Sequence, residues 1–134
     1  MNKIELFDVK KPGELESLNL SGNQLTTIEN IGYLSNLKEL DVSKNKIQSL
    51  QFLNSKENLI ILKCNYNRLD DWEGVLGVLK GIKELEELEL IGNEMTLNKN
   101  YKSLVLELEN MKVLDGVPVS ERQKEQLKVG NLRC

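Results

Sequence analysis

Apolar and polar positions follow one fixed order that recurs along most of the chain. In the segment from Leu37 to Leu50, apolar residues occupy the first, fourth, sixth, eleventh and fourteenth places, and Asn45 occupies the ninth. The apolar–polar–apolar trio around Asp41 predicts a short strand with one buried face, because strand side chains alternate between the two faces of a sheet. The chain turns away at Asn45, whose amide can bind backbone groups that a turn leaves unpaired. One such unit cannot bury its apolar residues alone, so stacked copies are expected.

The same order occurs four times in tandem. The first core leucines of the four copies are Leu18, Leu40, Leu62 and Leu88. Each copy keeps its asparagine, at Asn23, Asn45, Asn67 and Asn93. The pattern predicts an α/β fold, a right-handed solenoid with a parallel β-sheet on its concave face and 3₁₀ or α-helical segments on its convex face. We expect the asparagines to form a buried ladder, in which truncating one costs on the order of 1–3 kcal/mol through unpaired backbone donors.

The segments between and around the strands predict the domain organisation. Residues 1–14 read as a shortened N-terminal edge strand at 4–6 and a turn at Pro12-Gly13, with a disordered leader as the alternative. Residues 15–110 hold the four repeats, and residues 111–134 form a C-terminal cap with a helix and a last strand, in which Gly116 takes the sixth place. The first two return segments have room only for short 3₁₀ or α turns, with Ile31, Leu34 and Leu53 pointing inward.

Two longer apolar stripes and one polar motif predict helices in the second half of the chain. The third repeat carries extra residues, and its apolar residues from Trp72 to Ile82 have helical spacing. A second helix is expected from Asn98 or Asn100 to Leu108. Ser120 and Gln123 have the spacing of a capping box, which predicts a final helix over about residues 121–128.

From Leu15 onward, the chain resembles the short, 22-residue class of leucine-rich repeats typified by the regulatory subunit of protein phosphatase 1. The run from Tyr101 to Val119, with Leu114-Asp115-Gly116 before a short polar helix, is similar to the cap of the axonemal dynein leucine-rich light chain and the spliceosomal A-prime protein. This resemblance implies a eukaryotic, intracellular scaffold or adaptor, cytoplasmic, cytoskeletal or nuclear. It leaves open a phosphatase, a motor chain or an RNA-protein particle as the partner.

Composition narrows the classes of function. The net charge is −3 and the pI is near 5.2, which argues against a nucleic-acid surface. The sequence shows no apolar run of membrane-spanning length, so no membrane partner is expected. Cys64 and Cys134 do not form the paired framework of small secreted domains, which favours a reducing compartment. Histidine is absent, which removes the commonest general base and metal ligand. We therefore expect no cofactor, no metal and no catalysis, although Glu87 and Glu89 share a face at about 7 Å.

The best indication of function is the face that the strands turn away from the core. Its candidate partner-binding residues are Asn19, Glu39, Asp41, Ile61, Lys63, Tyr66, Glu87 and Glu89. Carboxylates around an exposed Ile61, with Asp115 extending the acidic surface, predict a partner protein that presents a basic or helical segment. An isolated exposed isoleucine without a role is the alternative for Ile61. For the whole chain, the alternatives are a structural assembly module joined through the solenoid edges and, less favoured, a component of an RNA-protein particle.

Overall fold

The computed structural model describes residues 14–28, 34–54, 56, 58–103 and 107–132. The strands within these residues are β1 (Ser17–Asn19), β2 (Glu39–Asp41), β3 (Ile61–Lys63), β4 (Glu87–Glu89), β5 (Val113–Leu114) and β6 (Val117–Pro118). The α-helices are α1 (Trp72–Lys80) and α2 (Glu121–Leu132), and 3₁₀ helices span Gln51–Leu53, Glu94–Leu97 and Tyr101–Ser103. The predicted edge strand at residues 4–6, Ile31 and Cys134 lie outside the described residues. The division of the chain into three parts remains a prediction.

The strands form one sheet in chain order, as the repeat predicts. Strands β1 to β5 are parallel, and the register aligns Leu18, Leu40, Leu62 and Leu88 side by side. The last three of these leucines are completely buried. One face of the sheet therefore belongs to the core, and the other face is left open.

The core lies between the sheet and the return segments. The 3₁₀ helix of the second repeat buries Leu53, and α1 buries Val75, Val78 and Leu79. Helix α1 begins where Asp71 acts as N-cap, its carboxylate accepting a hydrogen bond from the Gly74 N–H at 3.1 Å. The helix predicted for the longer third repeat and the short turn predicted for the second repeat are both confirmed. Leu34 is also buried as expected.

The asparagine ladder is confirmed in three of the four repeats. Asn45, Asn67 and Asn93 are buried, and the Oδ1 atom of each accepts a hydrogen bond from a backbone N–H of the preceding repeat at 3.0–3.1 Å. The prediction that Asn23 is buried is wrong. Its side chain is exposed, and within the described residues it donates only to carbonyls of its own repeat, those of Leu20 and Ser21. A buried position requires a preceding repeat to cover it, and none lies within the described residues.

The C-terminal cap contains a hairpin that the repeat pattern did not predict. Strands β5 and β6 are antiparallel and are joined by Asp115 and Gly116, whose φ angles are 53° and 80°. Two positive φ angles in an Asp-Gly loop are what a tight two-residue hairpin requires. Gly116 was expected to fill the sixth place of a strand and instead lies in this turn.

The two helices predicted near the C-terminus have different outcomes. The capping box is confirmed, since Ser120 Oγ accepts from the Gln123 N–H at 3.1 Å and Gln123 Oε1 accepts from the Ser120 N–H at 2.9 Å. Helix α2 extends four residues beyond its predicted end. An α-helix was expected to begin at Asn98 or Asn100. In place of its first turn, residues 101–103 form a 3₁₀ helix. Among the described residues, no helix has the length and apolar character needed to span a membrane.

Candidate protein-binding surface

Strand pairing brings the predicted site residues together in two straight rows on the open face of the sheet. The register aligns a first row of Ser17, Glu39, Ile61, Glu87 and Val113. It aligns a second row of Asn19, Asp41, Lys63 and Glu89. We call these two rows the concave face. Seven of the eight residues predicted as a site lie in these rows, and Tyr66 lies at the end of β3.

The first row places an apolar side chain between two acids. The register sets Ile61 directly between Glu39 on β2 and Glu87 on β4. Ile61 was expected to be exposed. In the structure it is partly buried. Glu39 and Glu87 make no hydrogen bond or ion pair with the described residues. Their charges are therefore available to a partner.

Turn hydrogen bonds fix two of the side chains in the second row. Asn19 Oδ1 accepts from the N–H and Oγ–H of Ser21 at 2.9 and 2.7 Å. Asp41 Oδ1 accepts from the Ser43 N–H at 3.0 Å. Lys63 lies between Asp41 and Glu89, yet within the described residues it forms no ion pair with either. The second row thus presents a fixed alternation of negative, positive and negative charge.

Two ion pairs between neighbouring repeats lie just before the strands and not on the concave face. Lys38 pairs with Glu16 at 3.5 Å, and Lys112 pairs with Glu86 at 2.7 Å. These pairs are solvent-exposed and contribute little to stability. They neutralise carboxylates just before the strands, whereas Glu39 and Glu87 on the concave face have no ion-pair partner among the described residues.

The Asp115 carboxylate is engaged in hydrogen bonds at the end of the sheet and is therefore not part of the binding surface. Its Oδ1 accepts from the Leu90 N–H at 2.8 Å, and its Oδ2 accepts from the Tyr101 hydroxyl at 2.6 Å. In the earlier repeats, the N–H equivalent to that of Leu90 binds a backbone carbonyl of the next strand, as Cys64 N–H binds Glu89 O at 2.8 Å. The Asp115 side chain replaces that carbonyl. Burial, together with the hydrogen bond to the Asp115 carboxylate and its negative charge, raises the pKa of Tyr101 far above its ordinary value.

Tyr66 and Ile91 form an exposed apolar pair at the rim of the concave face. Their side chains are 57% and 44% exposed, and the Tyr66 N–H donates to the Ile91 carbonyl at 2.7 Å. Ile91 is not among the predicted site residues. Its signal in the sequence is its place directly after the core residue Leu90, which makes it face away from the core. Ile91 meets Tyr66 only because their two repeats stack. This contact cannot be seen in the sequence of either repeat alone.

Thiol and carboxylate groups do not form a metal-binding cluster in the part of the chain that the structure describes. Burial, and next the nearby charge of Asp41, raises the pKa of the Cys64 thiol, so this residue acts as a small apolar core side chain. Among the described residues, no three cysteine, aspartate or glutamate side chains are grouped to hold a metal ion. A pocket of about 320 Å³ lies between the end of α1 and residues 107–110, and none of the predicted site residues lines it.

Comparison with known proteins identifies the repeats. The family model of leucine-rich repeats in two copies matches residues 14–55. Acidic leucine-rich nuclear phosphoprotein 32 family member A of Drosophila pseudoobscura pseudoobscura is 34% identical over 113 residues, which are 83% of this chain and 43% of that protein. The U2 small nuclear ribonucleoprotein A' of Arabidopsis thaliana is 26% identical over 119 residues, which are 84% of this chain and 46% of that protein. The chain thus spans less than half the length of these two relatives.

A solved structure has the same fold, including the C-terminal cap. The crystal structure of the Drosophila melanogaster SNF/U2A' complex contains a chain that matches with a TM-score of 0.67 and 20% identity. The match covers 96% of the present chain and 92% of that chain. At this level of identity, the likeness establishes the architecture, including the C-terminal cap, and not the partner.

Proposed function

Because the chain is a leucine-rich repeat protein with a C-terminal cap, we propose that it is a non-catalytic adaptor that binds a partner protein on its concave face. The observation that carries this proposal is the uncompensated charge of Glu39 and Glu87 on either side of Ile61. Charges without internal partners contribute little to the fold, whereas an aligned set of them can orient and attract a complementary protein.

The dimensions and charge of the concave face define the kind of partner. Five parallel strands about 4.8 Å apart span roughly 20 Å, which is wide enough for a helix about 10–12 Å in diameter. The two rows contain four carboxylates and one ammonium group, so a basic segment is favoured. Direct binding of nucleic acid is not part of the proposal, since phosphate groups require a cationic surface.

An intracellular setting is also part of the proposal. It is supported by the two relatives whose names place them among nuclear proteins. One of them is by name a ribonucleoprotein component. For this chain we assign the contact to a protein, because the concave face has the charge of an acidic surface.

Charge reversal on the concave face tests this function. We would immobilise the wild type, the variant Glu39→Lys/Glu87→Lys and the matched control Glu84→Lys/Glu94→Lys, and compare the proteins that each captures from a cell lysate. The control makes the same change in net charge at two exposed carboxylates that lie outside the sheet. Reversing the two charges should lower the recovery of a specific partner about tenfold or more, because like charges of the variant and the partner then face each other. Equal recovery by both variants would refute binding on this face.

A further inference from the structure

Tyr66 is held in a backbone conformation that aromatic residues seldom adopt. Its φ angle is 56°, and the equivalent residues of the other repeats, with φ angles of 59–81°, are Gly22, Lys44 and Gly92. Positive φ is unfavourable for a bulky residue, and such strain is concentrated at functional sites. The stacking of the repeats holds Tyr66 in this conformation, since its N–H donates a hydrogen bond to the Ile91 carbonyl at 2.7 Å.

The ring of Tyr66 lies against Gly92 of the next repeat. A Cβ atom added to Gly92 would overlap Cδ1, Cε1 and Cγ of that ring. Gly92 thus serves two purposes, because its own φ angle of 81° also favours glycine. The ring is supported on one side and remains 57% exposed. A partner that binds this ring does not have to order it first, and pre-ordering improves affinity.

Asn65 places a carboxylate beside this aromatic surface. Its Nδ2 donates to Glu89 Oε1 at 2.7 Å, and its Oδ1 accepts from the Ile91 N–H at 3.0 Å. The same side chain therefore fixes the Glu89 carboxylate and the backbone of the exposed Ile91. Glu89 Oε2 makes no hydrogen bond or ion pair with the residues that the structure describes. Asn65 thus fixes the Glu89 carboxylate, and its Oε2 atom can accept a hydrogen bond from a partner protein.

We infer that Tyr66, Ile91 and Glu89 form a subsite for an arginine side chain of the partner protein. A guanidinium group stacks on aromatic rings and binds carboxylates in a planar arrangement, and its methylene stem packs on apolar surface. Tyr66 provides the ring, Glu89 Oε2 the acceptor and Ile91 the apolar surface. This inference rests on the proposed function, which it deepens by naming the group that the partner presents at the rim.

Two synthetic peptides test the subsite in the whole 134-residue chain. The first is acetyl-Gly-Ser-Leu-Arg-Leu-Ser-Gly-amide, and the second replaces arginine by citrulline, which has nearly the same shape without the charge. Each is titrated into ¹⁵N-labelled protein while the amide signals are followed by NMR. The arginine peptide should shift the signals of residues 65–67 and 89–92, and the citrulline peptide should bind about fivefold to tenfold more weakly.

Variants of the protein separate the contributions of the ring and the charge. Tyr66→Asn removes the ring and tolerates positive φ, and Glu89→Gln keeps the oxygen that Asn65 binds. Each should weaken binding of the arginine peptide about fivefold. Glu84→Gln, the matched control, removes the same charge at an exposed carboxylate outside the sheet, and it should change binding less than twofold.

The outcomes that overturn the subsite are distinct from those that overturn the function. Equal binding of the two peptides, or equal effects of the Glu84 and Glu89 variants, would show that no arginine is recognised at the rim. Shifts confined to Glu39 and Asp41 would also overturn the subsite and leave the concave-face proposal intact. The absence of any shift would overturn the subsite, while the capture experiment would decide the proposed function independently.

Discussion

Replacing Asn67 by alanine removes one specific hydrogen-bond acceptor from the core. The Asn67 Oδ1 atom is the partner of the Ile47 N–H, at 3.1 Å. The three carbonyls that Asn67 Nδ2 binds keep other donors. Val42 O still receives Asn45 Nδ2, Cys64 O still receives Asn93 Nδ2, and Asn65 O still receives the Lys44 N–H, each at 2.8 Å. The substitution therefore leaves a single buried backbone donor without a partner.

The expected cost follows from that one donor. A buried, unsatisfied N–H costs about 1–3 kcal/mol, so Asn67→Ala should lower the free energy of unfolding by about 2 kcal/mol. For 134 residues this loss corresponds to a fall in Tm of about 7 °C. Asn23→Ala is the matched control, because Asn23 is exposed and its Oδ1 receives no backbone N–H in the described residues. It should cost less than about 0.5 kcal/mol.

Urea unfolding monitored by circular dichroism measures both variants. With a slope of about 2 kcal/mol per molar, the midpoint of Asn67→Ala should fall by about 1 M, whereas that of Asn23→Ala should barely move. Unchanged slopes would show that the denatured state is the same in all three proteins. Equal midpoints for the two variants would refute the reasoning that hydrogen bonds between repeats, and not the asparagine itself, provide the stability.

Three further predictions concern the turns and the cap. Gly92→Ala should destabilise the protein more than Gly22→Ala in urea unfolding, because both have positive φ but only Gly92 is covered by an aromatic ring. The raised pKa of Tyr101 means that its contribution to stability is complete below a pH of about 10, the value in the unfolded chain, and is lost as the pH rises above it. Urea midpoints at rising pH should therefore fall less in Tyr101→Phe than in the wild type. Ser120→Ala should weaken the start of α2 by about 1 kcal/mol, seen as faster amide exchange at Gln123, whose N–H loses its acceptor.

The solenoid was predictable because its determinants are local and repeated. Apolar residues at fixed places define a strand and a turn, and copies spaced by nearly equal lengths can bury them only by stacking. The register of Leu18, Leu40 and Leu62 follows directly from that spacing. The concave rows follow from the same register, since side chains alternate along a strand.

The features that were missed depend on what a residue meets in the next repeat. Asn23 and Asn45 occupy the same place in the pattern, and of the two only Asn45 is covered by a preceding repeat within the described residues. Likewise, the sequence around Tyr66 does not reveal that Gly92 supports its ring. In contrast, the hairpin at Asp115 and Gly116 had a local signal, an Asp-Gly pair between apolar residues. It was missed because the repeat pattern assigned Gly116 to a strand.

Site-specific cross-linking tests the central claim of concave-face binding most directly. A photoreactive phenylalanine derivative is placed at Glu87 on the concave face or, as the control, at Glu84 before the strand, and each protein is irradiated in a cell lysate. The account predicts a discrete cross-linked adduct with the partner from position 87 and none from position 84. An adduct from position 84 alone, or the same adducts from both positions, would contradict it.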